Sequence, residues 1–316
     1  MEGPPRERAA GEHTPVMLEE VLEYLDPEKG KVMVDGTVGS GGHAEVIARR
    51  ILPGGRLIAI DRDPQALLQA KERLAPLAAQ VSYHREDYRD IRAVLGDEGL
   101  ESVDGILIDM GVSSLQLDDP ERGFSFRQDG PLDMRMDTTC GETAADIVNN
   151  ASEDELTRIF YSYGEERWAR RIARFIVESR GRRPIRTTLE LVKVIENAVP
   201  VGARRGKKHP ARRTFQALRI AVNHELEGLE EAIKEGVDCL AEDGRMVVLA
   251  YQSLEDRVVK STFNSLAKGS DFPPDPPHPP VLRILTKKPV TPTEKERESN
   301  PRSRSAKLRA AERTRY

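Results

Sequence analysis

The chain has 316 residues, of which 38% are hydrophobic and 32% charged, enough for one large core or a core with a smaller lobe; two domains are expected. Its longest apolar run, Met246 to Tyr251, is strand-sized, and the charged stretch Met1 to Glu12 lacks the apolar core of a signal peptide, so membrane and secreted classes are disfavoured and a cytoplasmic protein is expected. Cys140 and Cys239 form no C-x-x-C pair and read as structural thiols, with neither a disulfide framework nor a metal site. The net charge of −4 conceals an asymmetry. Residues Glu165 to Arg213 carry 15 Lys/Arg against five Glu, and Thr291 to Tyr316 carry eight against four. An acidic body with two basic segments suggests a polyanionic partner met at particular surfaces.

In chain order, Val16 to Tyr24 reads as a lead-in helix with Thr14-Pro15 as cap and first-turn proline. Val32 to Asp35 is a β-branched run ending in an acid. It passes through Gly36-Thr37-Val38-Gly39-Ser40-Gly41-Gly42-His43 into a helix start. Arg56 to Asp61 is a second strand, Val81 to His84 a third and Val103 to Asp109 a fourth, with helices from Pro64 to Leu74 and over Ile91 to Leu95 between them. This alternation predicts a parallel sheet with its ligand at the carboxyl ends of the strands. Between Leu117 and Arg213 no strand is evident. Ser152-Glu153-Asp154-Glu155 and Thr187-Thr188-Leu189-Glu190 are capping boxes of an inserted helical lobe, on whose apolar faces Tyr161, Tyr163 and Trp168 are expected to pack. One long helix is expected to carry Phe215, Leu218, Val222, Leu226, Leu229 and Ile233 as a stripe and to end at Asp243-Gly244. Arg245 to Tyr251 is a fifth strand, and Ser253 to Leu266 a helix. Phe272 to Pro280 is an extended spacer and Val281 to Leu285 a sheet edge; beyond Pro292 a mobile tail is expected. The domain reading is therefore a disordered 1–12, a core of 13–117 and 214–290, a basic helical insertion at 118–213 that meets RNA, and a flexible tail at 291–316.

Gly39-x-Gly41-x-x-Ala44 after one strand, with Asp61 ending the next, satisfies a nucleotide fingerprint that nicotinamide and S-adenosylmethionine (SAM) enzymes share. Two details favour SAM. Asp35, just before the turn, repels a pyrophosphate but attracts an amino group, and the next strands end at Asp87-Tyr88 and Asp109, placing a ring and a carboxylate beside the ligand. His43 reads equally as a ligand contact or a solvated loop residue, and Gly111 to Asp118 lies where active-site loops belong.

Six ordered segments carry a resemblance: Asp35-Gly36-Thr37-x-Gly39-x-Gly41-Gly42-His43, Asp109-x-Gly111-Val112-Ser113-Ser114-x-Gln116-Leu117-Asp118, Arg122-Gly123-Phe124-Ser125-Phe126, Pro131-Leu132-Asp133-Met134-Arg135-Met136, Ser253-Leu254-Glu255-Asp256-Arg257 and Asn300-Pro301-Arg302-Ser303. Together they resemble the ribosomal RNA small subunit methyltransferase H family, also called MraW. The resemblance implies a Rossmann-like class I SAM-dependent methyltransferase core with a helical insertion, acting on the exocyclic N4 of a cytidine in the decoding region of 16S rRNA within the small ribosomal subunit. It implies SAM contacts at Gly41, Gly42, His43, Asp61, Tyr88, Asp109 and Gln116. Leu115 and Gln252 depart from it, standing where the family usually has proline and histidine. Asp109, or a carbonyl in Met110 to Ser113, is the candidate acceptor for an N4 hydrogen, and Arg204, Arg205, Lys207 and Lys208 are candidate clamps on rRNA phosphates. A nicotinamide oxidoreductase would explain only the glycine loop and Asp61. A non-catalytic assembly factor that binds SAM and rRNA is the other alternative, and monomer and homodimer stay equally open.

Overall fold

A computed structural model describes residues 15–204, 209–268 and 280–315, with the backbone alone for Ser114 and Arg204. The chain forms two compact units. The first comprises Met1–Asp61, Gln65–Gly111 and Glu230–Tyr316, and the second Arg62–Pro64 with Val112–Leu229. The helical insertion thus runs from Val112 to Leu229, wider at both ends than the expected 118–213.

The first unit is a seven-stranded sheet of order β3-β2-β1-β4-β5-β7-β6. Its strands are β1 Val32–Asp35, β2 Arg56–Ile60, β3 Val81–His84, β4 Val103–Asp109, β5 Leu240–Ala250, β6 Leu282–Ile284 and β7 Lys307–Arg313. β1 to β5 pair in parallel, and β7 runs antiparallel between β5 and β6. This is a Rossmann-like sheet whose strand order reverses between β1 and β4. Helices α1 Leu18–Leu25, α2 Gly42–Ile51, α3 Pro64–Arg73 and α4 Ile91–Asp97 connect or flank the first strands. Buried Met33, Ile47, Ile51, Leu57 and Leu107 share one core with Val21 and Leu25 of α1 and Leu308 of β7, each such side chain contributing about 1.5–3 kcal/mol.

The second unit holds α5 Ser114–Asp118, α6 Ala144–Asn150, α7 Glu153–Ser162, α8 Ala169–Arg180, α9 Thr188–Ala198, α10 Val201–Arg204 and α11 Ala211–Asn223. Thr187 forms a reciprocal capping box with Glu190, and Ser152 accepts the Glu155 N–H. Leu156, Phe160, Ile172, Ile176, Leu191, Ile195 and Leu218 form its core. The chain returns to the first unit through α12 Leu229–Asp238, α13 Ser253–Lys268 and α14 Glu294–Ser299. Among the described residues no helix is long and apolar enough to cross a membrane.

Four expectations are corrected. The chain beyond Pro292 is no mobile tail: Leu308, Ala310 and Ala311 of β7 are wholly buried inside the sheet, and its charges are paired, Arg309 and Lys307 with Asp256 and Glu312 with Arg245 and Arg283. The single long helix is two, because His224 turns left-handed (φ 51°) and Glu225 N–H caps the Ile220 carbonyl. β5 begins at Leu240, with left-handed Asp243 in a register shift inside the strand rather than before it. α1 starts at Leu18, and Met17 N–H donates to Glu296 Oε1 of α14 at 2.6 Å; Thr14, residues 1–12 and most of the proline-rich spacer lie outside the described residues.

Candidate active site

The carboxyl ends of β1, β2 and β4 are tied together by the glycine loop. Thr37 Oγ1 accepts the Asp109 N–H at 2.7 Å, Asp61 Oδ2 accepts the Gly39 N–H at 2.8 Å and Asp35 Oδ1 accepts the Thr37 N–H at 3.2 Å. Gly41 takes φ 81° at the N-cap of α2, and a Cβ there would lie 3.3 Å from the Ala70 backbone of α3. A Cβ on Gly42 would strike the Pro15 ring at 2.8 Å. Glycine at these two positions lets α3 and Pro15 close on the start of α2, whose first N–H groups lie at this edge. His43 is buried, which removes the solvated-loop reading. Its Nε2 lies 2.9 Å from the Val16 carbonyl oxygen, which can only accept, so Nε2 carries the hydrogen and Nδ1 faces Asp109 Oδ2 at 3.9 Å.

Asp109 closes β4 at the centre of this edge. Its Oδ1 accepts the Gly111 N–H at 3.2 Å, and the Tyr251 hydroxyl donates to the same carboxylate. A Cβ on Gly111 would meet the Tyr251 ring at 2.8 Å, so glycine lets the phenol reach Asp109. Burial, followed by the Asp109 charge, holds the Tyr251 hydroxyl well above its usual pKa, keeping it a neutral donor. Tyr88, after β3, packs against the first turn, where a Cβ on Gly36 would lie 3.0 Å from the Tyr88 Cβ. Gln252, next to Tyr251 beyond β5, is 9% exposed, and its amide oxygen and nitrogen have no hydrogen-bond partner among the described residues.

Asp35 reports the electrostatics. Burial raises its carboxyl from 3.8 to about 7; the Thr37 N–H opposes the rise, and the Asp109 and Asp61 charges add to it. Three carboxylates that repel one another around a helix start favour a ligand that brings positive charge. SAM carries both a sulfonium and an ammonium group, and the donor set fits it; the pyrophosphate of a nicotinamide dinucleotide would add to the repulsion.

Gly41, Gly42, His43, Asp61, Tyr88 and Asp109 all belong to the first unit. Gln116 belongs to the second, where it is buried with its amide engaged: Nε2 donates to Asp63 Oδ2 at 2.9 Å and Oε1 accepts the Ser113 N–H at 3.0 Å. Asp63 Oδ2 also accepts from Arg122 Nη2 at 2.9 Å, and the same Nη2 reaches the Arg135 and Met136 carbonyls. Three of the recognised segments thus meet in a buried ionic node. Arg205, Lys207, Lys208 and the Arg204 side chain lie outside the described residues. Tyr163 and Trp168 pack on the helical core. Tyr161 does not; it is 69% exposed. Cys239 is buried as expected of a structural thiol, whereas Cys140 is exposed. Sequence reasoning missed Tyr251 as a site residue. Its signal was position alone, the first residue past the strand that adjoins β4.

The MraW methylase family matches residues 10–314. The ribosomal RNA small subunit methyltransferase H of Pelobacter propionicus is 52% identical over 310 residues, covering 96% of this chain and 99% of that protein. The protein of that name from Geotalea uraniireducens is 51% identical over 305 residues, covering 95% and 98%. That of Halothermothrix orenii is 50% identical over 307 residues, covering 96% and 98%.

Proposed function

Because the chain belongs to the MraW methylase family, we propose that it is a SAM-dependent methyltransferase of small-subunit rRNA acting on the exocyclic N4 of a decoding-region cytidine in the cytoplasm. The observation that carries the cofactor reading is the carboxylate group of Asp35, Asp61 and Asp109 around the glycine loop, which suits a cationic cofactor. Bound SAM supplies an electrophilic methyl group on a sulfonium.

The protein's own groups then have distinct work. Cytosine N4 is a poor nucleophile because its lone pair is delocalised into the ring, and attack places positive charge on that nitrogen. A carboxylate accepting an N4 hydrogen favours both the attacking geometry and the developing charge. Asp109 is held for this by the Gly111 N–H and the Tyr251 hydroxyl. After transfer N4 releases a proton, which Asp109 can receive. Asp109→Ala is expected to lower single-turnover methylation at saturating SAM by roughly a hundredfold or more, and near-normal turnover would remove Asp109 from the role.

Gln252 offers one acceptor and one donor, the complement of the N4–H and N3 edge of cytosine. Since a donor on N3 withdraws density from N4, this is a recognition contact. Gln252→Ala should raise KM for RNA and leave SAM affinity alone; an unchanged KM would eliminate it.

The reading as a whole is tested by incubating the protein with SAM and small subunits that lack base methylation, then mapping the rRNA by mass spectrometry. A new methyl on N4 of a decoding-region cytidine is expected. A methyl on another atom, or none while SAM still binds, overturns it.

A further inference from the structure

A cavity of about 250 Å3 lies among α13, β6 and the start of β7, within the first unit. The buried ring of Phe263 is part of its wall, and Lys260, Asn264, Thr286, Lys287 and Arg309 supply its polar lining. Arg309 is nearly buried and is fixed by Asp256, whose Oδ1 accepts from its Nε at 2.6 Å; Lys307 Nζ donates to the other oxygen at 3.0 Å. Asp256 therefore offsets one of two neighbouring cations. Lys260 and Lys287 are exposed and have no ion-pair partner among the described residues. Thr286 Oγ1 accepts the Ala310 N–H at 3.0 Å, which leaves its own hydrogen to donate. Among the described residues no carboxylate lines the cavity.

Cations and neutral donors around a volume several times the ~30 Å3 share of a water molecule suit a phosphate group rather than a cation or an apolar ligand. The sheet register says where that phosphate would sit. Arg309 pairs with Val248, which pairs with Ile108, so Arg309 stands level with the residue before Asp109. β7 is two strands from β4, about 10 Å, and β6 runs the same way as β5, so Lys287 follows its end at the same edge of the sheet. That spacing puts the cavity within reach of a nucleotide neighbouring a base held at Asp109.

We propose that the cavity binds a backbone phosphate of the RNA substrate beside the methylated nucleotide, an inference that rests on the methyltransferase reading above. The test is the full-length double variant Lys260→Gln with Lys287→Gln. Its affinity for a decoding-region RNA is measured from 50 to 200 mM salt, with SAM affinity and thermal midpoint in parallel. Losing the neutralisation of one single-strand phosphate makes the log–log salt slope shallower by about 0.7, so the affinity deficit shrinks about 2.6-fold across that range, with SAM affinity and midpoint unchanged. Wild-type affinity and slope, or weaker binding with an unaltered slope, overturn the proposal. Displacement of RNA by micromolar inorganic phosphate at constant ionic strength would assign the cavity to a free anion and also overturn it. The two readings fail separately. If the wild-type protein methylates no RNA but the slope still changes in the variant, the enzymatic reading falls and the phosphate site stands; if the variant matches a methylating wild type, only the phosphate site falls.

Discussion

Asp35 sits where the cofactor reading is most exposed to measurement. Its folded pKa of about 7 lies above the ordinary 3.8, so between those values the folded protein keeps a proton that the unfolded chain releases. Its contribution to stability is therefore fully present below pH 3.8 and is lost as pH rises to about 7, on the order of 4 kcal/mol. A cationic ligand favours the ionised form, so binding should expel that proton. SAM affinity is expected to rise with pH up to about 7 and then level off, with proton release detected as a buffer-dependent binding enthalpy. In Asp35→Asn the affinity should be lower and flat with pH. A wild-type affinity that is already flat from pH 5.5 to 7.5 would mean that no ligand cation faces Asp35. Asp35, Asp61 and Asp109 were legible because each ends an apolar run at the edge a parallel sheet gives to its ligand. Tyr251 was not, because its role depends on β5 lying beside β4, and strand order is not written in local pattern. Nor was the occupied amide of Gln116, whose partner Asp63 is 53 residues away.

At the scale of elements, β1, β2 and β4 were readable to within a residue because buried parallel strands are continuous apolar runs, whereas β3, Val81-Ser82-Tyr83-His84 and only partly buried, was readable from its place in the alternation. β7 escaped because only Leu308 is a large apolar residue among Lys307–Arg313, and its charges look like those of a solvated tail. Pairing explains how the strand tolerates them. Burial pushes the Glu312 carboxyl up, but hydrogen bonds from Arg283 and Arg245 outweigh this and hold it below its usual range; Arg309 and Lys307 do the same for Asp256 against its own burial. Depressed carboxylates stabilise fully above their unfolded pKa values, 4.5 and 3.8, and lose that contribution as pH falls through the folded ones. Glu312→Ala should cost about 2 kcal/mol in urea denaturation at neutral pH, with a smaller cost as the pH drops well below 4.5. An equal cost at pH 3 and pH 7 would show that ion pairing does not hold this strand. The split of α11 from α12 was hidden for another reason. The stripe Phe215 to Ile233 keeps helical spacing, but left-handed His224 and Gly228 interrupt it, and a residue such as histidine gives little local warning of positive φ.

Across the whole molecule, charge is the property that sequence and function share most directly. Glu165 to Arg213 carries a net +10 in a chain of net −4, so an RNA strand meets attraction only at limited surfaces and repulsion elsewhere. In the second unit Arg167, Arg170, Arg174, Arg182, Arg186 and Lys193 are exposed, while Phe160 and Leu218 fill the core beneath. Affinity for RNA should therefore fall steeply with salt. Replacing Arg204, Arg205, Lys207 and Lys208 together by glutamine tests whether this run bears on phosphates. Without four cations on single-strand phosphates the salt slope would be shallower by about 2.8, so the deficit against wild type would be about fiftyfold smaller at 200 mM than at 50 mM salt. The proposed SAM site draws on the first unit's carboxylates and glycine loop, so SAM affinity should not move. An unchanged slope would mean that the run is solvated, and that the exposed arginines of the helical unit supply the attraction instead.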